Sequence, residues 1–181
     1  MKIRILIFLF LSLVLSCKDS NEVEKGTTES IKDGKQNVSK NQLILNFNAV
    51  IEKNGTFTLF FLEEGQKDIN IKNSSSVEVK GSKDVQTLIF NIKEDVIPDK
   101  LFLRFVNEEK DQTIEIKETI LVFGDKEIVI KPDSFFQYFM PNKFVDYDEK
   151  NFIATTKEIQ GNYLPRFSSR EALIYKMLLE F

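Results

Sequence analysis

The chain has 181 residues, of which 42% are hydrophobic and 29% are charged, a balance that suits one domain with its own core. Its net charge of −3 leaves no broad basic field, which argues against a nucleic-acid partner. The absence of histidine excludes histidine-dependent triads and histidine-containing metal sites, and the single cysteine excludes an intrachain disulfide. We therefore expect no metal and no other cofactor.

The first seventeen residues have the pattern of an export signal that ends at a cysteine. A short basic start precedes an apolar stretch of 11 residues at positions 5–15, too short for a membrane-spanning helix of about 20. The ending Val-Leu-Ser-Cys at positions 14–17 resembles the lipobox of bacterial lipoproteins. This resemblance implies removal of residues 1–16 as a signal peptide and acylation of Cys17, which anchors the mature chain to a membrane. The alternative is an ordinary secretory signal with a chance cysteine.

Residues 18–40 are polar and charged, and their large apolar residues are only Val23, Ile31 and Val38. Such a segment buries too little surface to offset the entropy of ordering it, so residues 17–40 are predicted to be a lipidated cysteine followed by a flexible tether. Residues 18–22 are similar to the charged export signals on surface lipoproteins of Bacteroidota, although a solvated linker has the same composition. The expected location is the cell envelope, lipid-anchored to the outer membrane on its periplasmic or exposed side.

Residues 41–181 form the predicted domain, and its first two thirds show the alternating pattern of β-strands. The dipeptide Asn54-Gly55 lies between the first two runs and predicts a hairpin, while the polar residues 73–76 are expected to end the third run. Short strands without a helical period predict a mainly β protein, an antiparallel β-sandwich. The apolar runs lie at 43–51, 57–61, 69–71, 77–79, 88–92, 101–105, 114–116, 120–122 and 128–130.

Residues 77–120 and their neighbours resemble the galactose-binding-like β-sandwich modules. The resemblance is carried by Gln-x-Leu-x-Phe at positions 86–90, Leu-Arg at positions 103–104 and Ile-x-Ile at positions 114–116. It implies a jelly-roll-like order of strands. Because ligands of these modules bind through variable loops, the resemblance assigns no binding residue.

Seven aromatic residues fall between positions 135 and 152. They either fill the core or form a contact surface for a sugar or a protein partner. Tyr138 and Tyr147 are the better surface candidates, because a phenol tolerates water at its tip. Together with the amides of Gln137 and Asn142 they are the predicted ligand-binding residues, since sugars need flat apolar faces bordered by hydrogen-bonding groups.

An oxygen-rich cluster follows at positions 146–151, with Asp146, Asp148, Glu149 and Asn151. Calcium takes six to eight oxygen ligands, but this cluster lacks the glycine and the distal glutamate of an EF-hand loop. We therefore expect an exposed acidic turn without a metal.

The residues at positions 168–171, Ser-Ser-Arg-Glu, fit a capping box and predict a C-terminal helix over residues 172–181. One stripe of this helix is expected to pack on the domain, and the opposite stripe meets either the end of the sheet or a partner. The first stripe contains Leu173, Ile174, Met177, Leu178 and Phe181, and the opposite one contains Tyr175 and Leu179.

Two classes of function are compatible with this sequence. The first is a non-catalytic binding or accessory module of the envelope, with a glycan or another envelope protein as its ligand. The alternative is a small envelope hydrolase that uses carboxylates without histidine. The missing histidines and the lack of a Gly-x-Ser-x-Gly motif favour the first class, so we predict that the protein is not an enzyme.

Overall fold

The computed structural model describes residues 41–181, which form two antiparallel sheets packed face to face with a helix at the C-terminus. The predicted fold class, a mainly β antiparallel sandwich with a C-terminal helix, is confirmed. The predictions for the signal peptide 1–16, for Cys17 and for the tether up to residue 40 lie outside the described residues.

The described part of the chain contains eleven strands and two α-helices. They are β1 (Gln42–Ile51), β2 (Gly55–Leu62), β3 (Ser74–Val79), β4 (Ser82–Glu94), β5 (Lys100–Val106), β6 (Thr113–Phe123), β7 (Lys126–Ile130), α1 (Phe135–Tyr138), β8 (Phe139–Pro141), β9 (Val145–Asp148), β10 (Ile153–Thr156), β11 (Arg166–Ser169) and α2 (Glu171–Glu180). The first sheet has the order β4-β1-β6-β10-β9, with β7 also paired to β6, and the second has the order β3-β2-β5-β11-β8. Neither helix within residues 41–181 has the length and apolar character needed to cross a membrane.

The core lies between the two sheets and is built by the alternation that the sequence shows. In β1, every second residue from Leu43 to Ile51 is fully buried, while Asn46 and Asn48 between them face outward. Aromatic rings fill the centre: Phe105 lies 5.5 Å from both Phe57 and Phe167, measured between ring centroids. Full burial of each such side chain contributes about 1.5–3 kcal/mol, so the core supplies the main stabilisation of the sandwich.

The hairpin predicted at Asn54-Gly55 is wrong, because β1 and β2 belong to different sheets. The chain crosses between the sheets at this corner, where backbones approach each other closely. A Cβ on Gly55 would lie 2.8 Å from the carbonyl oxygen of Val106, and one on Gly81 would lie 2.3 Å from that of Glu52. The backbone N–H of Gly81 donates to Asn54 Oδ1 at 2.8 Å. The two glycines and the asparagine therefore serve a tight crossing and not a two-residue turn.

The third predicted run, 69–71, is also wrong as a strand. A 3₁₀ turn occupies Ile71–Asn73, capped by Asn70 Oδ1, which accepts from the backbone N–H of Lys72 at 3.0 Å. The serines that follow begin β3 instead of ending a strand. Because β3 is at the edge of the second sheet, its small polar side chains tolerate solvent and the apolar pattern of a buried strand is missing.

The runs at 114–116 and 120–122 belong to the single strand β6. Its pairing with β1 shifts between Asn48, which faces Glu118, and Ala49, which faces Ile116. After this bulge the opposite set of alternating side chains faces the core. Leu121 is therefore buried, whereas uninterrupted alternation would bury the residues on either side of it. A two-residue turn then leads into β7, and the positive φ of 63° at its first position is taken by glycine.

The C-terminal helix is present, but the capping box that predicted its start is wrong. Ser168 and Ser169 are the last residues of β11, and the helix begins at Glu171 with Arg170 as an N-cap that makes no side-chain hydrogen bond. The hydroxyl of Ser169 instead accepts from the backbone N–H of Leu101 at 2.9 Å. The serine therefore ties β11 to β5 across the second sheet.

The buried stripe of α2 is narrower than the sequence predicts. Leu173 and Met177 are fully buried, whereas Leu178 is 61% exposed and lies outside the packed stripe. Leu179 and Tyr175 are 87% and 64% exposed, as the amphipathic pattern indicates. The helix packs mainly against α1 and β7, so a single row of side chains is enough to attach it.

Candidate functional site

The aromatic segment between positions 135 and 152 lies largely in the core. Phe135, Phe139 and Phe144 are buried, and the rings of the first two stack with centroids 4.9 Å apart. The ring of Phe135 also lies 5.0 Å from the ring of Phe167, between centroids, so it belongs to the core between the sheets. For these three residues the core interpretation is correct.

The sequence predicts that the hydroxyl of Tyr147 faces water, but in the structure this hydroxyl is buried. Its ring lies 6.0 Å from the rings of Phe135, Phe136 and Phe167, and its hydroxyl is sealed from solvent without a hydrogen-bond partner. Burial raises the pKa of Tyr147 to about 12, with a further contribution from the two carboxylates that follow it in the chain. Only part of the ring is left for a ligand.

The other three predicted ligand-binding residues have different surroundings. Tyr138 is partly buried against the core, and Gln137 is exposed on α1. Asn142 is held by its own chain: Nδ2 donates to the carbonyl oxygen of Leu164 at 2.7 Å, and Oδ1 accepts from the backbone N–H of Phe144 at 3.2 Å. This asparagine fixes a loop, and its amide is not free to recognise a sugar.

The acidic segment forms the exposed turn that the sequence predicts. Asp148 accepts from the side chain of Asn151 at 2.7 Å and from two backbone N–H groups of the turn, and these hydrogen bonds lower the pKa of its carboxyl. Asp146 forms an ion pair with Lys157 at 2.6 Å. Among residues 41–181, no group of three or more acidic or cysteine side chains is arranged to hold a metal ion.

The outer face of the second sheet brings together all three arginines of residues 41–181. Arg166 is the first residue of β11, and Arg170 follows the last residue of β11 in an extended conformation. Both alternate with the buried Phe167 and Ser169, so they lie on the same side of the sheet. On the adjacent strand β5, Arg104 lies directly opposite Arg166. We call Phe102, Arg104, Arg166 and Arg170 the arginine surface.

Aromatic rings hold two of these guanidinium groups in place. Arg166 lies over the ring of Phe102 at 5.1 Å, and Arg170 lies over the ring of Phe136 at 4.6 Å. The Nε atoms of all three arginines are sealed from solvent and have no hydrogen-bond partner. Their terminal Nη atoms are not sealed in this way, so the planar, charged edges of the groups face outward.

The positive charge of the arginine surface is not neutralised by the described part of the chain. All seven ion pairs found within residues 41–181 use lysine as the cation, and none includes Arg104, Arg166 or Arg170. Two like charges directly opposite each other on neighbouring strands are destabilising. The repulsion between Arg104 and Arg166 is therefore not offset by any ion pair within residues 41–181.

A shallow pocket of about 100 Å³ opens between these two arginines and the end of the sheet. Its apolar wall includes Ile69 and Leu164, both of which are largely exposed. The pocket thus combines guanidinium groups with apolar side chains that water solvates poorly. It is lined by Phe60, Ile69, Phe102, Arg104, Leu164 and Arg166.

A second, open groove of about 900 Å³ lies at the corner where the chain crosses between the sheets. Its charged lining is mixed in sign, with the lysines Lys53 and Lys80 and the glutamates Glu52, Glu78, Glu108 and Glu109. Lys53 pairs with Glu109 at 2.5 Å and with Asp111 at 2.7 Å, and these hydrogen bonds raise the pKa of the lysine. With four carboxylates against two lysines, the groove is acidic overall and differs in sign from the arginine surface.

No protein-family model, no curated protein and no solved structure matches this chain. Arginine offers a planar fork of donors that matches the two oxygens of a carboxylate, phosphate or sulfate group. A surface with three such forks, two of them stacked on aromatic rings, is suited to binding oxyanions.

Sequence reasoning missed this surface, although two of its signals were present. The four-residue spacing of Arg166 and Arg170 indicates a shared face in an extended segment, and Arg104 is part of the Leu-Arg motif. The missing information was the pairing of β5 with β11, which connects segments far apart in the chain.

Proposed function

We propose that this protein is a lipid-anchored, non-catalytic binding module of the bacterial cell envelope. The observation that carries the proposal is the arginine surface, a solvent-facing group of fixed cations without ion pairs. Unneutralised charge on a rigid sheet costs stability, and a ligand of opposite charge would compensate for it.

The anchor in this proposal is Cys17. Acyl chains on this cysteine would hold the protein at a membrane, the outer membrane in our proposal, since several chains together make a durable anchor. A tether over residues 18–40 would then allow the domain to reach on the order of 25 Å from the bilayer. Such an arrangement suits a module that captures ligands near the surface to which it is attached.

A binding role is favoured over the alternative of a carboxylate-dependent hydrolase. Asp146 and Asp148, in the acidic turn, are engaged by Lys157 and by the turn itself. The arginine surface, in contrast, has donors but no group that would accept or deliver a proton at neutral pH. Its chemistry suits holding a ligand without changing it.

The test is a binding screen that also detects turnover. The full chain, purified in detergent, is incubated with a panel of glycans and with extracts of envelope polymers, and bound material is eluted and sized. We expect retention of a ligand whose length and composition are unchanged. Shortening of the bound polymer or release of reducing ends would contradict the non-catalytic role.

A further inference from the structure

We infer that the arginine surface binds an acidic glycan, a polysaccharide that carries carboxylate or sulfate groups along its chain. The inference rests on the proposed binding role and names the chemical class of its ligand. Its basis is the combination of three unpaired guanidinium groups with an apolar floor on one sheet face.

The choice of arginine points to an oxyanion. Residues 41–181 contain fifteen lysines and three arginines, and all three arginines lie on this one face. The lysines supply the cations of every ion pair found in this part of the chain, for example Lys157 with Asp146. An ordinary solvated surface needs only lysine, whereas a planar oxyanion is bound best by the fixed fork of an arginine.

The spacing of the arginines points to an extended ligand. Arg166 is the first residue of β11 and Arg170 is the extended residue directly after its last one, which separates their Cα atoms by about 13 Å. The exposed side chain of Met140, on the adjacent strand β8, faces Ser168 midway between them. A small anion can contact only one end of this surface, and the pocket beside Arg104 is too shallow to enclose it. A polymer with acidic groups at intervals can contact both ends.

The sheet topology favours a glycan over an acidic peptide. β5 lies between β2 and β11, and β11 lies between β5 and β8, so the backbone hydrogen-bonding groups of both strands face partners within the sheet. An extended peptide cannot pair with β5 or β11 as an added strand, and its own amides would find few partners above these strands. Sugar rings carry hydroxyls at their edges, and their C–H faces suit the apolar side chains of Met140 and Leu164.

The experiment measures binding of the full chain in detergent to four immobilised polymers. Polygalacturonate presents carboxylates, dextran sulfate presents sulfates, neutral dextran presents sugar without charge, and poly-L-glutamate presents charge without sugar. We expect binding to at least one of the acidic polysaccharides, weakening as salt is raised, and at least about tenfold weaker binding to the other two polymers. The first two polymers distinguish carboxylate from sulfate as the group recognised.

Two triple variants with the same change in net charge distinguish binding at the arginine surface from non-specific electrostatic attraction. We expect the arginine variant to bind the acidic polysaccharide at least about tenfold more weakly, because each charge-assisted hydrogen-bonded pair is lost, while the lysine variant stays within about twofold of wild type. The first carries Arg104→Gln, Arg166→Gln and Arg170→Gln, and the second carries Lys67→Gln, Lys83→Gln and Lys131→Gln at exposed lysines without ion pairs.

Thermal unfolding of each variant shows whether it is folded. If the triple arginine variant does not fold, the single variant Arg170→Gln is used in its place. Arg166→Lys keeps the charge but loses the fork, and we expect it also to bind more weakly. The inference is overturned by equal binding to neutral dextran, by tighter binding to poly-L-glutamate, by no binding to either acidic polysaccharide, or by equal losses in both triple variants. Cleavage of a bound polymer would instead overturn the proposed non-catalytic function, so the two failures are distinguishable.

Discussion

Tyr147 shows how one polar atom is accommodated in an aromatic cluster. Its hydroxyl is sealed without a hydrogen-bond partner, and its ring stacks on Phe136 with an angle of 11° between their planes. A buried hydroxyl that makes no hydrogen bond loses its interaction with water and gains nothing in return. The packing of the ring must therefore provide the stabilisation that keeps this residue in place.

The raised pKa of Tyr147 predicts a loss of stability in alkali. The folded state keeps the proton up to about pH 12, whereas the unfolded chain releases it near pH 10. Between these values the unfolded state binds fewer protons than the folded state, so the free energy of unfolding falls as pH rises. We expect Tyr147→Phe to reduce this loss when urea unfolding is compared at about pH 9 and about pH 11.5.

Near neutral pH, the same substitution should leave stability unchanged or raise it slightly, because it removes an unsatisfied buried hydroxyl. Tyr163→Phe serves as the comparison. The hydroxyl of Tyr163 donates to Asn107 Oδ1 at 2.7 Å and lies at the same distance from the hydroxyl of Thr156, so its loss should destabilise the protein. Equal effects of the two substitutions near neutral pH would contradict the assignment of Tyr147 as unpaired.

At the residue scale, the sequence predicted the core better than the site. The inward residues of β1 and β5 followed from simple alternation, since a buried face requires it. The arginine surface could not be predicted from the sequence, because it depends on the register that places Arg104 opposite Arg166. A pairing between distant strands is decided by the packing of the whole sandwich, and local pattern does not contain it.

At the scale of single elements, α2 is attached through few side chains. Leu173 and Met177 are buried beneath it, while Phe181, next to its end, lies 5.6 Å from the ring of Phe123. The outward side chains of Tyr175 and Leu179 contribute nothing to this attachment. The energetic role of the helix is therefore concentrated in its inward row.

This concentration gives a prediction with a matched pair of leucines. Leu173→Ala should lower the free energy of unfolding by about 2–5 kcal/mol, because it leaves a cavity beneath the helix. Leu179→Ala removes the same atoms from a side chain that is exposed, and its effect should stay within about 0.5 kcal/mol. Urea unfolding measures both. Similar losses in the two variants would mean that Leu179 is covered by a contact outside the described chain.

Element types were predicted more successfully than element boundaries and connections. Long apolar alternation identified strands such as β4 and β5, whose inward side chains must alternate. The connection at Asn54-Gly55 was misassigned, since a glycine can serve close backbone approach as well as a turn. The serines before α2 match a helix cap in sequence, but they belong to an internal strand whose hydrogen bonds come from the neighbouring strand.

At the scale of the whole molecule, the sandwich separates stability from recognition. The inner faces of both sheets form one continuous core. The outer face of the second sheet carries fixed charge on a rigid support, so a ligand would meet preorganised donors and pay little for ordering them. A lipid anchor at Cys17, as the sequence predicts, would keep this face close to the polymers of the envelope.

The anchor is tested by Cys17→Ser. We expect this variant to lose incorporation of labelled fatty acid and to accumulate as an uncleaved or soluble product, because the thiol is the site of acylation in lipoproteins of this type. Ser16→Ala keeps a small residue at the cleavage site and should still be labelled. Wild-type protein recovered without lipid from the soluble periplasmic fraction would show that residues 1–16 are an ordinary export signal.

The crossing between sheets at Asn54-Gly55 also has a kinetic consequence. Because β2 pairs elsewhere, β1 receives both of its neighbours late: Leu45 pairs with Phe90 of β4 on one side and with Leu121 of β6 on the other. A chain that emerges N-terminus first would thus expose β1, an apolar strand with two unpaired edges, until β4 and β6 have emerged. Such a strand is prone to aggregate and its topology folds slowly. We therefore expect refolding of this sandwich to be slow and to lose more protein to aggregation as the protein concentration is raised.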